Sequence, residues 1–317
     1  MKKCYAHHGR RTACGRWFLA LLALVTLFAC DVPVKHYGAL LDAEISSLRV
    51  LDHHPRQFPD IAYVPNGNDF QRLDLYRPAG EDPAPVMVFI HGGYWMSGSR
   101  KEYAALAGTL CPRGFVTILV DYRLYPDVTY PAFMEDCAAA LNWVMANVAD
   151  YGGDPDRVFV AGHSAGGHIV ALMATHPRFR GMLKFDPLKL RGVIPLSGAY
   201  DFVTGNRLDL QIVRQVMVTP ENFDDAQPIR HVRADVPPML MVNGDRDNLT
   251  SEPQAAAFAQ AMQQAGAPLR YVKIKGGDHH SVVVDMAPGH EGPALRAVLQ
   301  FMNEQLQQRS DPTKPAA

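Results

Sequence analysis

Cysteine is scarce, five in 317 residues, too few for a chain held together by a disulfide framework. Neither charge sign dominates. Lys and Arg number 31 against 32 Asp and Glu, so there is no basic field of the kind that nucleic acid binding needs. No hydrophobic run is long. Trp17–Ala29 gives thirteen uncharged, mostly apolar residues, short of the roughly 20 that a spanning helix needs. There is no internal repeat or low-complexity tract. At 48% hydrophobic and 20% charged residues, the composition excludes both a disordered chain and a collagen-like fibre. The length admits one or two domains.

What charge there is lies unevenly. Residues 1–29 hold Lys2, Lys3, Arg10, Arg11 and Arg16 and no acid, a charge of +5, which leaves 26 basic and 32 acidic side chains, −6, for the other 288. A basic stretch, a short apolar core and then a small residue describe a secretory signal peptide over residues 1–29. The run ends Leu27-Phe28-Ala29-Cys30, which resembles the bacterial lipobox. That resemblance implies cleavage before Cys30 and a diacylglycerol on its sulfur, hence a lipoprotein anchored to the membrane and facing the periplasm. Asp31 resembles an inner-membrane retention signal. The alternatives are an uncleaved anchor and an ordinary cleaved signal, which would give a soluble periplasmic or secreted protein. With Cys4 and Cys14 removed and Cys30 acylated, Cys111 and Cys137 remain, either as a disulfide in an oxidising compartment or as two separate buried thiols.

Residues 30–58 show no clean period and read as a linker or an N-terminal cap segment, with a candidate helix over Gly38–Val50. A regular domain is expected over residues 59–308, followed by a flexible polar tail, 309–317. Ile61–Val64 and Arg72–Tyr76 read as strands around the turn cluster Pro65-Asn66-Gly67-Asn68-Asp69. Six apolar runs of strand length follow: Val86–Ile90, Val116–Val120, Val158–Ala161, Gly192–Leu196, Met239–Val242 and Tyr271–Ile274. Continuous rather than alternating apolar runs suit parallel strands buried on both faces. Between them lie helix-like stretches, Lys101–Leu110, Pro131–Val148, Ala165–Thr175, Glu252–Ala265 and Glu291–Gln307. The alternation predicts an α/β fold with a mainly parallel eight-stranded sheet flanked by helices and an antiparallel opening hairpin at its edge. Asp201–Val236 is the one long insertion between core strands, and it predicts a small cap.

Two segments carry chemistry. Gly162-His163-Ser164-Ala165-Gly166 joins an apolar strand to a helix rich in Ala, Leu and Met. In that context it reads as a nucleophile elbow, a turn so sharp that small residues must flank the serine. The serine hydroxyl then stands beside a helix N-terminus, whose N–H groups favour a developing anion. His91-Gly92-Gly93-Tyr94-Trp95 follows the strand Val86–Ile90 and reads as the other half of an oxyanion hole. The N–H groups of Gly93 and Tyr94 would act with that of Ala165, each donor contributing about 3–4 kcal/mol. His91 is expected to pin the loop. Tyr94 and Trp95 are either packing or pocket walls.

With both segments quoted, the chain resembles the α/β-hydrolase esterase/lipase group that holds hormone-sensitive-lipase-like carboxylesterases and kynurenine formamidases. The likeness runs from about residue 60 to 305 and takes in Asp121-Tyr122-Arg123-Leu124-Tyr125-Pro126 and Tyr151-Gly152-Gly153-Asp154-Pro155. The HGGYW form resembles the formamidase side. The resemblance implies that Asp121, Asp136 and Asp154 are structural. It implies an order of Ser, acid, then His. A G-x-x-D pattern selects Asp247 over Asp245 and over the distant rival Asp201. A G-x-x-H pattern selects His279, with His280 in a slot usually aromatic and His290 set aside. It further implies acyl transfer from a small ester to Ser164, with His279 as base, Asp247 as its partner and no cofactor. The alternatives are an arylformamidase using the same site and a non-catalytic lipoprotein of the same fold. The adjacent pairs His53-His54 and His279-His280 have no matching Cys or acidic cluster, so no metal is expected. Residues Phe202, Leu208, Leu210, Ile212, Val213, Val216 and Met217 predict a helix with one apolar stripe in the insertion, a partial cover that favours short acyl groups.

Overall fold

The structure, a computed structural model, describes residues 55–80, 83–204 and 210–308. Among these residues eight strands form one sheet: β1 (Arg56–Ala62), β2 (Arg72–Arg77), β3 (Ala84–Ile90), β4 (Val116–Val120), β5 (Gly153–His163), β6 (Gly192–Leu196), β7 (Met239–Gly244) and β8 (Leu269–Ile274). Their spatial order is β1-β2-β4-β3-β5-β6-β7-β8. β1 runs antiparallel to β2, and β2 to β4. The remaining pairs are parallel. This is the predicted mainly parallel sheet with its opening hairpin at one edge.

Side chains alternate across the sheet with period two, and β3 shows how that makes two cores. Val86, Val88 and Ile90 pack on one face with helices α2 (Ala132–Asn147), α3 (Ala165–Thr175), α4 (Leu210–Met217) and α6 (Glu252–Gln264). Met87 and Phe89 pack on the other with α1 (Ala105–Leu110) and α7 (Pro293–Gln308). A strand covered on both faces has no reason to alternate, so β4 and β6 keep the bounds read from sequence. The loops that leave the carboxyl ends of β3, β5, β7 and β8 meet on one rim.

Several boundaries move by one or two residues, and three elements differ more from the sequence reading. β1 begins at Arg56 and ends at Ala62, because it is an exposed edge strand with Pro59 inside it and an irregularity between Phe58 and Ile61; no apolar run announces it. β5 extends back to Gly153, which pairs with Ala84 across a register shift. The stretch expected as one helix over Lys101–Leu110 opens as a 3₁₀ turn, Arg100–Tyr103. The buried Arg100 guanidinium there is held by Asp60, Asp74 and Asp121, so the turn is fixed by ion pairs and not by helix propensity.

In the Asp201–Val236 insertion, α4 is followed by a short helix, α5 (Pro220–Asp225), and a 3₁₀ turn, Pro228–His231. Val213, Val216, Met217 and Phe202 are fully buried, whereas Leu210 is exposed and Ile212 only half-buried. The apolar stripe is thus narrower than predicted; Leu208 lies outside the described residues. Cys111 and Cys137 are both free, buried thiols. The expected signal peptide, Cys30, the Gly38–Val50 helix, His53-His54 and the 309–317 tail lie outside the described residues. No helix of the described residues is long and apolar enough to cross a membrane.

Candidate active site

β5 ends one residue before Ser164, whose φ of 55° and ψ of −115° make the turn into α3. A side chain at positive φ is strained, and the neighbours show what holds it. A Cβ on Gly166 would lie 2.0 Å from the main-chain oxygen of Ile90, and one on Gly162 would lie 2.4 Å from that of Gly166. Only glycine lets α3 press this closely on β3 and β5. Ser164 N–H donates to Leu196 O at 2.9 Å, and the residue is 8% exposed.

The loop after β3 packs against the elbow. Gly93, Tyr94 and Trp95 have φ of 116°, 55° and 59°, three left-handed residues in succession. The Gly93 carbonyl accepts from Met96 N and Ser97 N, both at 3.0 Å, closing the turn. A Cβ on Gly92 would lie 3.0 Å from Ser164 Cβ. His91 is buried, stacks on Tyr122 at 4.4 Å and places Nδ1 2.7 Å from Gly92 O, which is the pinning role expected of it. Trp95 is packing: it is 1% exposed, and its indole N–H donates to His168 Nδ1 at 3.2 Å. Tyr94 is half-buried.

Across the rim, β7 and β8 deliver Asp247 and His279, both buried. Asp247 Oδ2 lies 2.9 Å from His279 Nδ1. Its Oδ1 accepts from Leu249 N and Thr250 N, both at 2.9 Å. Burial pushes the Asp247 pKa up, but the hydrogen bond from His279 and the backbone N–H donors prevail and hold it at about 2. A carboxylate only accepts, so His279 carries its proton on Nδ1 and leaves Nε2 as the basic nitrogen. The main-chain oxygen of His279 lies 2.8 Å from His163 Nε2, which joins the base loop to the residue before Ser164.

The neighbours weighed against these residues do other work. Asp245 is exposed, and its Oδ1 accepts from Gly276 N at 2.7 Å. Asp201 Oδ1 accepts from Val203 N and Thr204 N. His280 sits edge-on to His279 at 5.3 Å, and His290 is exposed. Asp121 binds Arg100, Asp136 binds Arg123 and Asp154 binds Arg157. Sequence reasoning missed Thr250, Tyr103 and His168. Thr250 alone had a local signal, a hydroxyl three residues after Asp247.

Among the described residues, one group has the composition of a metal site: His176, Asp225 and His231, with ligand atoms within 4.8 Å of one another. The hydrogen bonds argue against that role. His176 Nδ1 accepts from Arg178 N at 3.1 Å, so the proton is on Nε2, which donates to Asp225 Oδ1 at 2.9 Å. His231 Nε2 donates to the main-chain oxygen of Asp225 at 2.7 Å. Neither nitrogen that faces Asp225 has a lone pair to offer. The group is a clasp that ties α5 and the 3₁₀ turn to the end of α3, with the Tyr130 hydroxyl on Asp225 Oδ2 at 2.8 Å.

The strand order and the layering of helices on both faces make this an α/β-hydrolase fold. Esterase B from Lactobacillus Rhamnosis (HN001) shares the fold with a TM-score of 0.76 over 92% of this chain and 97% of that one, at 21% identity. More specifically, the BD-FAE family profile matches residues 73–262, and the chain belongs to that family. It is 32% identical over 253 residues to "Esterase LipC" of Mycobacterium tuberculosis (strain ATCC 25618 / H37Rv), covering 74% of this chain and 62% of that protein. It is 28% identical over 286 residues to "Isoprenylcysteine alpha-carbonyl methylesterase ICME" of Arabidopsis thaliana, covering 83% of this chain and 64% of that protein. The chain thus spans less than two thirds of either relative.

Proposed function

We propose that this protein is a serine carboxylic ester hydrolase that works through an acyl-enzyme. The observation that carries the reading is the fixed tautomer of His279. With Asp247 on Nδ1 at 2.9 Å, Nε2 is the nitrogen that takes the Ser164 proton as the hydroxyl attacks the ester carbonyl. The oxyanion is held by the N–H groups of Gly93, Tyr94 and Ala165, main-chain donors on the two loops that meet at Ser164. His279 then gives its proton to the leaving alcohol, and a water activated by the same nitrogen releases the acid. The names of LipC, the methylesterase and Esterase B support an ester as the bond broken. The substrates are short-chain or small aromatic esters, a reading supported by the shortness of the insertion, whose Phe202, Val213, Val216 and Met217 are taken up by the core and do not remain to line a long acyl channel.

The protein acts from the membrane surface through a lipid on Cys30, a reading that rests on the Leu27–Cys30 sequence. A panel of p-nitrophenyl esters run beside N-formylkynurenine, with wild type and Ser164→Ala, tests the activity. Acetate and butyrate esters are cut faster than palmitate, and the variant loses several orders of magnitude in kcat. Near-wild-type turnover by Ser164→Ala removes the reading; preference for the formyl amide makes the enzyme an arylformamidase.

A further inference from the structure

A line of buried hydrogen bonds runs behind the elbow and joins the two halves of the candidate site. Gly92 N–H, in the loop after β3, donates to the Tyr103 hydroxyl at 3.3 Å. That hydroxyl lies 3.1 Å from His163 Nδ1. His163 Nε2 lies 2.8 Å from the main-chain oxygen of His279. Tyr103, His163 and His279 are all at most 5% exposed, so water does not compete for these bonds.

The protons along this line have one arrangement. A carbonyl oxygen only accepts, so His163 Nε2 carries the proton. Nδ1 is then a lone pair and takes the Tyr103 hydroxyl proton. The Tyr103 oxygen is left to accept from Gly92. Gly92 is in contact with this line as well as bonded to it: a Cβ there would lie 3.2 Å from His163 Nδ1 and 3.0 Å from Ser164 Cβ.

Taking the ester-hydrolase reading as its basis, we propose that His163 is a positioning residue for the reaction, holding the backbone of the base, His279, in register with the oxyanion loop through Tyr103 and Gly92. The residue between Gly162 and Ser164 is thereby more than a spacer in the elbow. Burial, and then the nearby His279, push the His163 pKa well below the usual imidazole range. The ring therefore stays uncharged while His279, 4.8 Å away between ring centroids, becomes an imidazolium. A second cation at that distance would oppose the proton transfer it is meant to support.

The test compares wild type with Ser164→Ala, His163→Phe, His163→Gln and Tyr103→Phe on p-nitrophenyl butyrate. Competent sites are counted by labelling with a fluorophosphonate, and stability is followed by thermal melting. Ser164→Ala must lose both labelling and turnover; if it keeps turnover, the ester-hydrolase reading fails first and on its own account. Given that control, His163→Phe lowers kcat per labelled site on the order of 10²-fold, as expected for a displaced catalytic group, with KM little changed. Gln can place an amide N–H near the position of Nε2, so His163→Gln recovers most of that loss. Tyr103→Phe keeps the bond to His279 and gives a smaller loss. A lowered melting temperature with unchanged kcat per labelled site in His163→Phe overturns the proposal. Should that variant not fold, unchanged kcat per labelled site in Tyr103→Phe overturns it instead.

Discussion

The hydroxyl of Thr250 lies 2.9 Å from the carboxylate oxygen of Asp247 that also faces His279. It lies as well 2.8 Å from the main-chain oxygen of Ser197, so its single proton has two acceptors in reach. Together with the two N–H groups on Oδ1, it surrounds a buried acid with protein donors in place of water. A buried charge is tolerated only under such satisfaction.

Thr250→Val keeps the shape and removes the hydroxyl. The variant should lose about 1.5–3 kcal/mol of stability, the contribution of a hydrogen bond to a charged group, and turnover should fall with it. Urea unfolding and ester kinetics measure the two. Thr250→Ser should retain most of both, and equal behaviour of the Val and Ser variants would show that only volume matters at this position.

Asp247→Asn should lower kcat on the order of 10⁴-fold by stabilising the wrong imidazole tautomer. Asp245→Asn keeps an oxygen for Gly276 N–H and should be mild, as should His280→Phe. Steady-state kinetics of the three variants decide the assignment. Greater loss in Asp245→Asn than in Asp247→Asn would move the acid by two residues.

The pH dependence of stability follows from His168, which burial holds at a pKa of about 4 against an ordinary 6.5. Above 6.5 the ring is neutral in both states and contributes nothing. Below 6.5 the unfolded chain takes up a proton that the folded protein refuses. Stability therefore falls with falling pH, by at most about 1.4 kcal/mol per unit, until the folded ring titrates near 4. His163 and His91 are shifted in the same direction and add to the slope. Urea midpoints between pH 7 and 4.5 should show this decline, and His168→Phe should flatten it.

Cys30→Ser should abolish labelling by radioactive palmitate and change processing of the leader. Labelling that persists in this variant would end the lipoprotein proposal and leave the hydrolase proposal standing.

The parts legible in the sequence were those whose signal is local. Val116–Val120, Gly192–Leu196 and Ala165–Thr175 could be bounded to the residue because strands and a helix covered on every side are apolar throughout. The elbow was legible because its strain demands small residues at fixed places. β1 was not, since an exposed edge strand has no burial pattern to display. Nor were the partners of Tyr103 and Trp95, whose hydrogen bonds reach histidines 60 and 73 positions along the chain. Such contacts arise where the end of β5 meets the 3₁₀ turn and where α3 packs against the loop after β3, and no spacing in the sequence encodes them.

The bond from His163 to the main chain of His279 bridges 116 positions, so the two ends of the candidate machinery are synthesised far apart. The nucleophile and the oxyanion loop lie in the first part of the domain, whereas acid and base arrive only with β7 and β8. A chain still being synthesised short of β8 holds a serine with nothing to deprotonate it. On the ester-hydrolase reading, competence during synthesis therefore waits for β7 and β8, and a chain truncated before His279 should show no ester turnover.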